Sequence, residues 1–434
     1  MSRIMKDSGI PWIGEIPSHW SLYRIKHNTF LKGRIGWQGL NSNDFLDEGY
    51  CLITGTDFDN KGGIHWETCY RISKERFDED ELLHVKEGDL LMTKDGTVGK
   101  MAIIKDLPEE ASLNSHLLII RQLSPLVTNP FLYWIMVSDI FGGFVSYYQT
   151  GTIMSSISQT TLGYFSCFVP SIKEQKAITD YLDKKCSEID ELITLQEKII
   201  EELKSYKLSV ITKAVTKGLN PNVPMKDSEI EWIKKMPEGW KSCRLKNVFV
   251  LKTGTTPTGY DLPKEDSAIN WYTPSDILDE GCVLDSSERT LNASVVLNEK
   301  IELFPMYSIL FVGIGSAGKV GYILKEGYAN QQITALIPKC GVAKYYFYFL
   351  IADKQRLRDN AFYTILPIIN NAYLSTNKLL FPPIEEQQAI ANYLDKKCAE
   401  IDSLIALKQS KIEQLKEYKK SLIYEYVTGK KEVI

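Results

Sequence analysis

The sequence predicts two mixed helix-and-strand domains, of the α/β or α+β class, joined by two long antiparallel helices in a pseudo-twofold internal repeat. Three observations predict this arrangement. Ile172–Thr216 and Ile384–Thr428 align without gaps and are identical at 27 of 45 positions. The openings of the two halves also match, PWIGEIPSHW with EWIKKMPEGW. Between these anchors the halves diverge and carry short apolar runs that alternate with turn residues, as strands do.

The shared segments are predicted to be long helices. They contain no internal Pro or Gly, and apolar residues recur every seven positions, which is typical of a coiled-coil seam. Forty-five helical residues would extend about 65–70 Å at 1.5 Å per residue. The predicted seam positions in the first copy are Leu182, Ile189, Leu203 and Val210, with a second stripe at Leu192, Ile199 and Tyr206; those in the second are Leu394, Ile401, Leu415 and Leu422, with Leu404 and Tyr418.

The regions before the helices are predicted to fold as recognition domains. We place the boundaries at 1–170 for domain 1, 171–218 for spacer helix 1, 219–382 for domain 2 and 383–434 for spacer helix 2. The predicted strands are Tyr50–Thr54, Leu90–Thr93, Leu117–Ile120, Ile309–Val312 and Ile333–Ile337, and the predicted helices within the domains are Asn129–Phe141 and Val342–Arg358.

Composition excludes several classes of protein. The formal net charge is −4 and 44% of residues are hydrophobic, as in ordinary globular proteins. No apolar run approaches the ~20 residues of a membrane span, and the first residues lack the apolar core of a signal peptide. Eight dispersed cysteines without a CxxC pair argue against a zinc site or a disulfide scaffold. We therefore expect a cytoplasmic chain that binds no metal and no membrane.

The duplicated order of motifs resembles the specificity subunit of type I restriction-modification systems. The resemblance covers essentially the whole chain and rests on the two openings, on GDLLMTKDGTVGK and YSILFVGIGSAGK, and on the paired EQxAIxxYLDKKCxEID helices. It implies target-recognition domains that each read one half of a split double-stranded DNA site, with the helices setting the gap. It also implies a non-catalytic chain without a cofactor of its own.

The same resemblance implies partner subunits. Two methyltransferase subunits would carry S-adenosylmethionine, and two motor-nuclease subunits would use ATP and magnesium. Candidate docking residues on the helices are Tyr181, Lys184, Lys185, Tyr393, Lys396 and Lys397. Their repetition equally fits packing between helices.

Charge along the chain is unevenly distributed. Residues 1–171 carry a net −5 and residues 219–383 a net +1, but two stretches near the domain starts hold basic residues without acids. Such stretches suit phosphate contacts. Lys32 and Lys252 recur at equivalent positions in them, and Arg34, which follows the first, could enter a groove of the DNA.

Base reading should fall to loop residues that differ between the halves, since Arg and Lys suit guanine whereas Asn and Gln suit adenine. The glycine-rich loops add two lysines that could face phosphates. The candidates are Lys94, Lys100, Asn114, Ser115 and His116 in the first half, and Thr253, Thr255, Thr256, Lys319, Gln331 and Gln332 in the second, with Asn330 beside them.

Two other functions stay open at this stage. Gly313–Lys319 matches GxxxxGK, the pattern of a phosphate-binding loop, although Val320 stands where that loop needs Ser or Thr. A stand-alone nucleotide-binding enzyme is therefore one alternative, and a tight glycine-rich hairpin is the other interpretation of the same residues. A coiled-coil scaffold that binds only protein is the second alternative. It would leave the divergent domains without a purpose.

Overall fold

The chain forms two compact units in a computed structural model that describes residues 3–34, 40, 42–59, 61–148, 156–257, 269–291, 296, 301–363 and 367–433. Unit 1 comprises Met1–Glu197 and Ser410–Ile434, and unit 2 comprises Lys198–Gln409. Each unit therefore holds one predicted recognition domain and parts of both long helices. The predicted boundaries, which separate domains from helices, stay a prediction.

In unit 1 a four-stranded antiparallel sheet runs in the order Thr29–Gly33, Leu117–Gln122, Leu90–Thr93, Met101–Ile103. A three-stranded sheet runs in the order Tyr70–Ile72, Tyr50–Ile53, Ala111–Leu113, and its last two strands are parallel. Two strand pairs complete it, Met5–Asp7 with Glu15–Pro17 and Ser21–Arg24 with Ser166–Val169. Its shorter helices are Ile25–Asn28, Lys74–Asp78, Asn129–Met136, Asp139–Tyr148 and Gln159–Gly163.

Unit 2 repeats this plan. Its five-stranded sheet runs in the order Phe249–Thr253, Ile333–Pro338, Ile309–Val312, Val320–Ile323, Cys282–Leu284. The three-stranded sheet is Arg289–Leu291, Ile269–Tyr272, Tyr328–Ala329, again with a parallel last pair. The strand pairs are Met225–Asp227 with Lys235–Pro237, Lys241–Arg244 with Lys378–Phe381, and Phe362–Tyr363 with Pro367–Ile368. Its shorter helices are Leu245–Val248, Ala343–Asp359 and Asn371–Thr376.

The predicted strands and domain helices are confirmed, with one correction. The helix predicted over Asn129–Phe141 is two helices that break at Val137 and Ser138. The Ser138 hydroxyl donates to the carbonyl of Ile135 at 2.6 Å and accepts from the amide of Ile140 at 3.2 Å. A serine that bonds its own backbone in this way competes with the helical hydrogen bonds. Because most strand pairs are antiparallel, the domains are of the α+β class.

The two long helices extend over Ile172–Lys217 and Ile384–Val427. Within unit 1 the rings of Tyr181 and Tyr426 lie 4.5 Å apart, and Lys419 donates to Asp190 at 2.6 Å. Within unit 2 Lys207 donates to Asp402 at 2.7 Å. In unit 1 the residue numbers rise along one helix as they fall along the other, so the parts that pack there run antiparallel.

Only part of the predicted seam is buried. Leu182 and Ile189 are buried, and so are their copies Leu394 and Ile401. The outer positions of the second stripe are exposed instead, at 47% for Leu192, 59% for Tyr206, 47% for Leu404 and 56% for Tyr418.

The physical reason is that each long helix also packs against a helix of a recognition domain. Trp134 donates its indole N–H to Asp183 at 2.8 Å in unit 1, and Tyr348 donates its hydroxyl to Asp395 at 2.6 Å in unit 2. The buried face of each helix is therefore shared between two neighbours rather than confined to a two-helix seam.

Each long helix is also fixed at its start by a buried glutamine. The Gln175 side chain accepts from the amide of Thr128 at 2.9 Å and donates to the carbonyl of Pro170 at 3.0 Å. Gln387, its copy, accepts from the amide of Val342 at 2.8 Å and donates to Pro382. Both glutamines are fully buried. These bonds satisfy backbone groups that a domain would otherwise bury without partners, so they set how each helix leaves its domain.

Candidate nucleic-acid interface

One edge of unit 1 gathers the loops that follow three strands, Tyr50–Ile53, Leu90–Thr93 and Ala111–Leu113. The strands Tyr50–Ile53 and Ala111–Leu113 run parallel, so the segments after them emerge together. The amide of Asn114 donates to the carbonyl of Ile53 at 3.0 Å, and the amide of Lys94 donates to the carbonyl of His116 at 2.8 Å. The hairpin of residues 94–100 and the turn of residues 114–116 are thereby held side by side.

The predicted side chains of unit 1 divide into a structural set and an exposed set. Asn114 accepts the amide of His116 on its side-chain oxygen at 3.0 Å, which closes the turn. Lys94 donates to Asp95 at 2.5 Å, and the exposed ring of His116 lies 3.4 Å from the same carboxylate. Lys100 is exposed and Ser115 half-buried. The turn thus presents His116 and Ser115 outward, beside a lysine that one carboxylate orients.

Unit 2 builds the same edge with different side chains. Asn330 again closes the turn, since its side-chain oxygen accepts the amide of Gln332 at 3.1 Å. It also donates its side-chain N–H to the Gln332 side-chain oxygen at 3.0 Å, which leaves Gln331 exposed at the tip. Lys319 reaches the carbonyl of Pro274 at 3.5 Å. Positions occupied by Ser115 and His116 in unit 1 are amides here.

The glycine-rich loops are hairpins and not phosphate-binding loops. Gly99 has φ +90° and Gly318 has φ +88°, a left-handed backbone that favours glycine. The amide of Gly99 donates to the carbonyl of Thr93 at 3.0 Å, and that of Gly318 donates to the carbonyl of Val312 at 2.8 Å. Both loops lead into a strand, whereas a phosphate-binding loop leads into a helix whose N-terminus holds the phosphate. The hairpin interpretation is confirmed, and the nucleotide-enzyme alternative loses its site.

The basic strand residues are paired with acids from elsewhere in their units. Lys32 lies 2.6 Å from Asp80, and Lys252 contacts Glu302. Arg34 was predicted to follow the strand into a DNA groove, but its side chain is buried and donates to Glu79 at 3.0 Å and to the carbonyl of Leu113 at 3.1 Å.

Arg34 therefore has a structural role in this conformation. The two stretches of sequence that contain no acidic residues do have acidic neighbours in the folded chain, because carboxylates distant in sequence pair with their basic side chains. The predicted phosphate contacts of Lys32 and Lys252 would require these ion pairs to open.

The predicted threonines border the same edge of unit 2. The Thr253 hydroxyl accepts from the Asn371 side chain at 2.8 Å, and the amide of Thr255 donates to the carbonyl of Ala329 at 2.9 Å. Thr255 is exposed and Thr256 half-buried. Gly254 lies against the turn so closely that an added Cβ would stand 2.3 Å from the Asn330 carbonyl oxygen. This position corresponds to Arg34 in unit 1, and only glycine fits it here.

Sequence reasoning missed a further duplicated loop at this edge, Thr54–Asp57 in unit 1 and Thr273–Asp276 in unit 2. The Asp57 carboxylate accepts the amide of Thr54 at 2.7 Å, and the Asp276 carboxylate accepts the amide of Thr273 at 2.7 Å. The repeat is visible in the sequence at an offset of 219, but only two residue types in four are retained. Such a short match is not recognisable without the neighbouring strands.

Burial and neighbouring groups shift the pKa values of three side chains beneath the edge. Burial, with the Asp276 carboxylate nearby, raises the pKa of Tyr272 to about 12, so this phenol stays protonated. In unit 1 the hydrogen bond between the buried thiols of Cys51 and Cys69 lowers the pKa of Cys51. The same bond and burial raise the pKa of Cys69.

The predicted docking residues on the long helices have mixed environments. Tyr181 is half-buried against Tyr426, whereas Tyr393 is 39% exposed. Lys185 and Lys397 are half-buried and paired with Glu188 and Glu400, each at 2.7 Å. Lys184 and Lys396 are exposed. A second exposed set is apolar and duplicated, and its members are Leu192, Leu195, Tyr206, Leu404, Leu407 and Tyr418.

The described parts of the chain lack two features that would indicate other functions. No cluster of three or more His, Cys, Asp or Glu residues suited to a metal ion occurs among the residues that the structure describes. Within the same residues, no helix combines the length and the apolar character that crossing a membrane requires.

Comparison with known proteins places this geometry in a family. A family model described as the type I restriction modification DNA specificity domain matches residues 36–205 and 237–417. The putative type I restriction enzyme MjaX specificity subunit of Methanocaldococcus jannaschii is 25% identical over 96% of this chain and 95% of its own length. The EcoKI specificity subunit of Escherichia coli is 20% identical over 90% and 84%.

Solved structures agree in fold. A chain from a study of complex assembly and conformational transition of the type I R-M system has a TM-score of 0.75 at 15% identity, covering 95% of this chain and 98% of that one. The HsdS subunit from Thermoanaerobacter tengcongensis has a TM-score of 0.51 at 14% identity, with the same coverage. The family model matches once in each half of the chain, and each match extends into the long helix of that half. The chain belongs to the family of type I restriction-modification DNA specificity subunits, with two target-recognition domains.

Proposed function

We propose that each unit reads one half of a bipartite double-stranded DNA target and that the long helices set the gap between the halves. The observation that carries this proposal is the edge that recurs in both units. The same hairpin and asparagine turn stand on the same strands, yet the turn side chains differ. They are Ser115 and His116 in unit 1 and Gln331 and Gln332 in unit 2, of which His116 and Gln331 are exposed. A shared framework with unlike side chains is what reading two different sequences requires.

In this proposal the chain divides into the recognition domains and spacer helices named above, and the helices form an antiparallel coiled-coil spacer with pseudo-twofold symmetry. The repeated contacts support it: Asp190 with Lys419 and Asp402 with Lys207 occupy equivalent positions of the repeat. Half-sites at least one helical turn of DNA apart, about 34 Å, would then be reached together.

We further propose that the chain is not itself catalytic and acts in the cytoplasm. Two methyltransferase subunits with S-adenosylmethionine would bind along the helices, and two motor-nuclease subunits would contribute ATP and magnesium chemistry. The exposed apolar set on the helices supports a protein partner there. Surfaces of Leu and Tyr that stay exposed at equivalent positions of both helices are suited to a buried interface.

The decisive experiment co-expresses the chain with its cognate methyltransferase subunit and maps methylated adenines genome-wide. The expected result is one split motif, read on both strands. Methylation of an undivided motif, or none despite complex formation, would contradict the proposal.

A second experiment tests the spacer with a shortened variant. Removing seven residues from each long helix, 196–202 and 408–414, leaves the exposed apolar set in place, keeps the helical face in phase and shortens each helix by about 10.5 Å. The gap should contract by about three base pairs at ~3.4 Å each, with both half-sites unchanged. The matched control replaces Leu195 and Leu407 with Asp, which should abolish co-purification of the methyltransferase and leave the isolated chain folded.

A further inference from the structure

The duplicated loop Thr54–Asp57 carries a hydrogen-bond chain whose direction can be deduced. The Thr54 hydroxyl lies 2.9 Å from the Asp57 carboxylate, which is an acceptor. Thr54 has one hydroxyl hydrogen, and this bond uses it. The Thr56 hydroxyl lies 2.7 Å from the Thr54 oxygen, so Thr56 must be the donor in that pair. The chain therefore runs from Thr56 through Thr54 to Asp57.

The Asp57 carboxylate, at the acceptor end of this hydrogen-bond chain, is held by several donors. Asp57 is 1% exposed, and its second carboxylate oxygen accepts the Thr68 hydroxyl at 2.8 Å. With the amide of Thr54 as a further donor, the carboxylate holds its partners in place. Thr56, at the other end, is exposed. Its hydrogen points inward, and the lone pairs of its oxygen are what it offers to solvent.

Unit 2 has the same chain built from a different tip residue. Thr273 donates to Asp276 at 2.8 Å, and Ser275 lies 2.7 Å from the Thr273 hydroxyl, so Ser275 donates inward. The second oxygen of Asp276 accepts the amide of Glu288 at 2.7 Å. Ser275 is exposed like Thr56. We call Thr56 and Ser275 the tip residues of the two loops. The residue before the tip differs, Gly55 in unit 1 and Pro274 in unit 2, but both tip residues carry a hydroxyl.

Holding the loop does not require the tip hydroxyl. The aspartate already fixes the loop through the threonine amide, and the backbone turn closes through Asp57 to Thr54 at 3.2 Å and Asp276 to Thr273 at 3.1 Å. The tip stands next to the candidate reading loops: an added Cβ at Gly55 would lie 2.9 Å from Thr93 Cγ2, and Lys319 reaches the Pro274 carbonyl at 3.5 Å.

We propose that Thr56 and Ser275 contact DNA as hydrogen-bond acceptors for an exocyclic amino group of adenine or cytosine in the major groove. This inference rests on the proposed function. Those amino groups are the major-groove donors, and an oxygen whose hydrogen is committed elsewhere pairs with a donor and rejects the acceptors of guanine and thymine. Hydroxyls in a chain that ends on a carboxylate polarise one another, which strengthens the outer oxygen as an acceptor. Asp57 and Asp276 are positioning residues.

The test uses the chain in complex with its methyltransferase subunits and a duplex series. Each duplex lacks one exocyclic amino group, with purine in place of adenine or pyrimidin-2-one in place of cytosine. The wild-type complex should lose about tenfold or more in binding at one position of the first half-site. The Thr56→Val complex should bind the unmodified duplex more weakly than wild type by the same factor. On the duplex that lacks the contacted amino group it should bind as the wild-type complex does, because the substitution and the amino deletion remove the same contact.

Thr56→Ser retains the hydroxyl and should bind like wild type. Ser275→Ala should give the same coupling at one position of the second half-site, with Ser275→Thr as its control. Asp57→Asn should weaken discrimination at the Thr56 position alone, which a general loss of folding would not do.

Two results would overturn the inference. If Thr56→Val weakens binding equally on every sequence and lowers the salt slope, the hydroxyl contacts phosphate. If the losses from Thr56→Val and from amino deletion add at every position, the tip contacts no amino group. Failure of the wild-type complex to recognise any split site would instead contradict the proposed function, before any variant is compared.

Discussion

The candidate DNA-binding edges of unit 1 and unit 2 share the residues that hold their backbone and differ in the side chains that they expose. The turn asparagines Asn114 and Asn330 and the hairpin glycines Gly99 and Gly318 make equivalent backbone contacts in both units. The exposed side chains beside them share almost nothing. Residues that are alike in the two units therefore hold the framework, and residues that differ are the candidates for specificity.

The two hairpins are also held from behind in different ways. In unit 2 Arg358 donates to the Ala317 carbonyl at 2.6 Å and to Asp279 at 2.8 Å. In unit 1 the ring of Phe141 lies under the hairpin, where an added Cβ at Gly99 would be 3.4 Å from it. One hairpin is supported by an ion-pair network and the other by apolar contact. Their responses to pH and salt should consequently differ.

The largest expected effect separates the stabilities of the two units. Leu182→Ala and Leu394→Ala remove fully buried side chains at equivalent positions of the long helices. Each should cost about 2–5 kcal/mol in free energy of unfolding, because a cavity adds to the lost burial. Hydrogen exchange should show the loss in unit 1 for Leu182→Ala and in unit 2 for Leu394→Ala. Equal deprotection of both units by either variant would mean that they unfold as one.

The next effect concerns Arg34, the residue that the structure buries. Arg34→Met removes one of the two arginines that pair with Glu79, the other being Arg76, and it also removes the side-chain donor to the Leu113 carbonyl. It should destabilise unit 1 by about 2 kcal/mol, below the cost of breaking a fully buried pair because Glu79 is 29% exposed and keeps Arg76. Thermal unfolding of the isolated chain measures this. The slope with which the logarithm of DNA affinity falls against the logarithm of salt concentration should stay unchanged. A shallower slope in the variant would show that Arg34 contacts phosphate.

A smaller effect tests the paired lysines. Lys32→Met and Lys252→Met should each change stability by less than about 1 kcal/mol and leave the salt slope of DNA binding unchanged, because both head groups already have carboxylate partners. Lys100→Met is the matched comparison. Lys100 is exposed at the hairpin and should contact phosphate, so its loss should lower the slope by about 0.9.

The smallest effect is a pH dependence confined to unit 2. Burial raises the pKa of Asp279, but hydrogen bonds and charges from Lys354 and Arg358 outweigh it, so the pKa lies below its ordinary value of 3.8. A lowered pKa in the folded state stabilises unit 2 above that value, and this stabilisation is lost as pH falls through it. Asp279→Asn should cost about 0.5 kcal/mol at pH 7, and this cost should disappear in acid once Asp279 is protonated in the folded chain as well. A difference that persists in acid would exclude the ion pairs as its source.

Much of the fold could be predicted because periodicity and repetition are local signals. Leu90–Thr93 and Ile309–Val312 were predicted with the bounds that the structure has. The exposed stripe of Leu192 and Tyr206 was not, since a heptad pattern does not tell which neighbour covers a position. The break at Ser138 was also missed, because it depends on one side-chain bond to the backbone.

The site was harder to predict for the same reason. Charge counted along the sequence left Lys32 and Arg34 without acids, but Asp80 and Glu79 reach them across the fold. The Thr54–Asp57 chain was invisible because its meaning lies in hydrogen-bond direction, which needs coordinates. The asparagine turns and glycine hairpins could be predicted as loops. Which of their residues hold the backbone and which are exposed could not be predicted.

The division of the chain into units has a consequence for its synthesis. Unit 2 is one continuous stretch, Lys198–Gln409, whereas unit 1 needs Ser410–Ile434 to complete its core. Leu422 and Val427 belong to the same buried cluster as Trp20, and Arg3 contacts Glu432, 429 residues away. Since translation delivers the N-terminal part first, the earlier recognition domain must wait with part of its apolar surface uncovered while the later one closes. Unit 1 can therefore close only after residues 410–434 have been made, when the whole of unit 2 has already been synthesised.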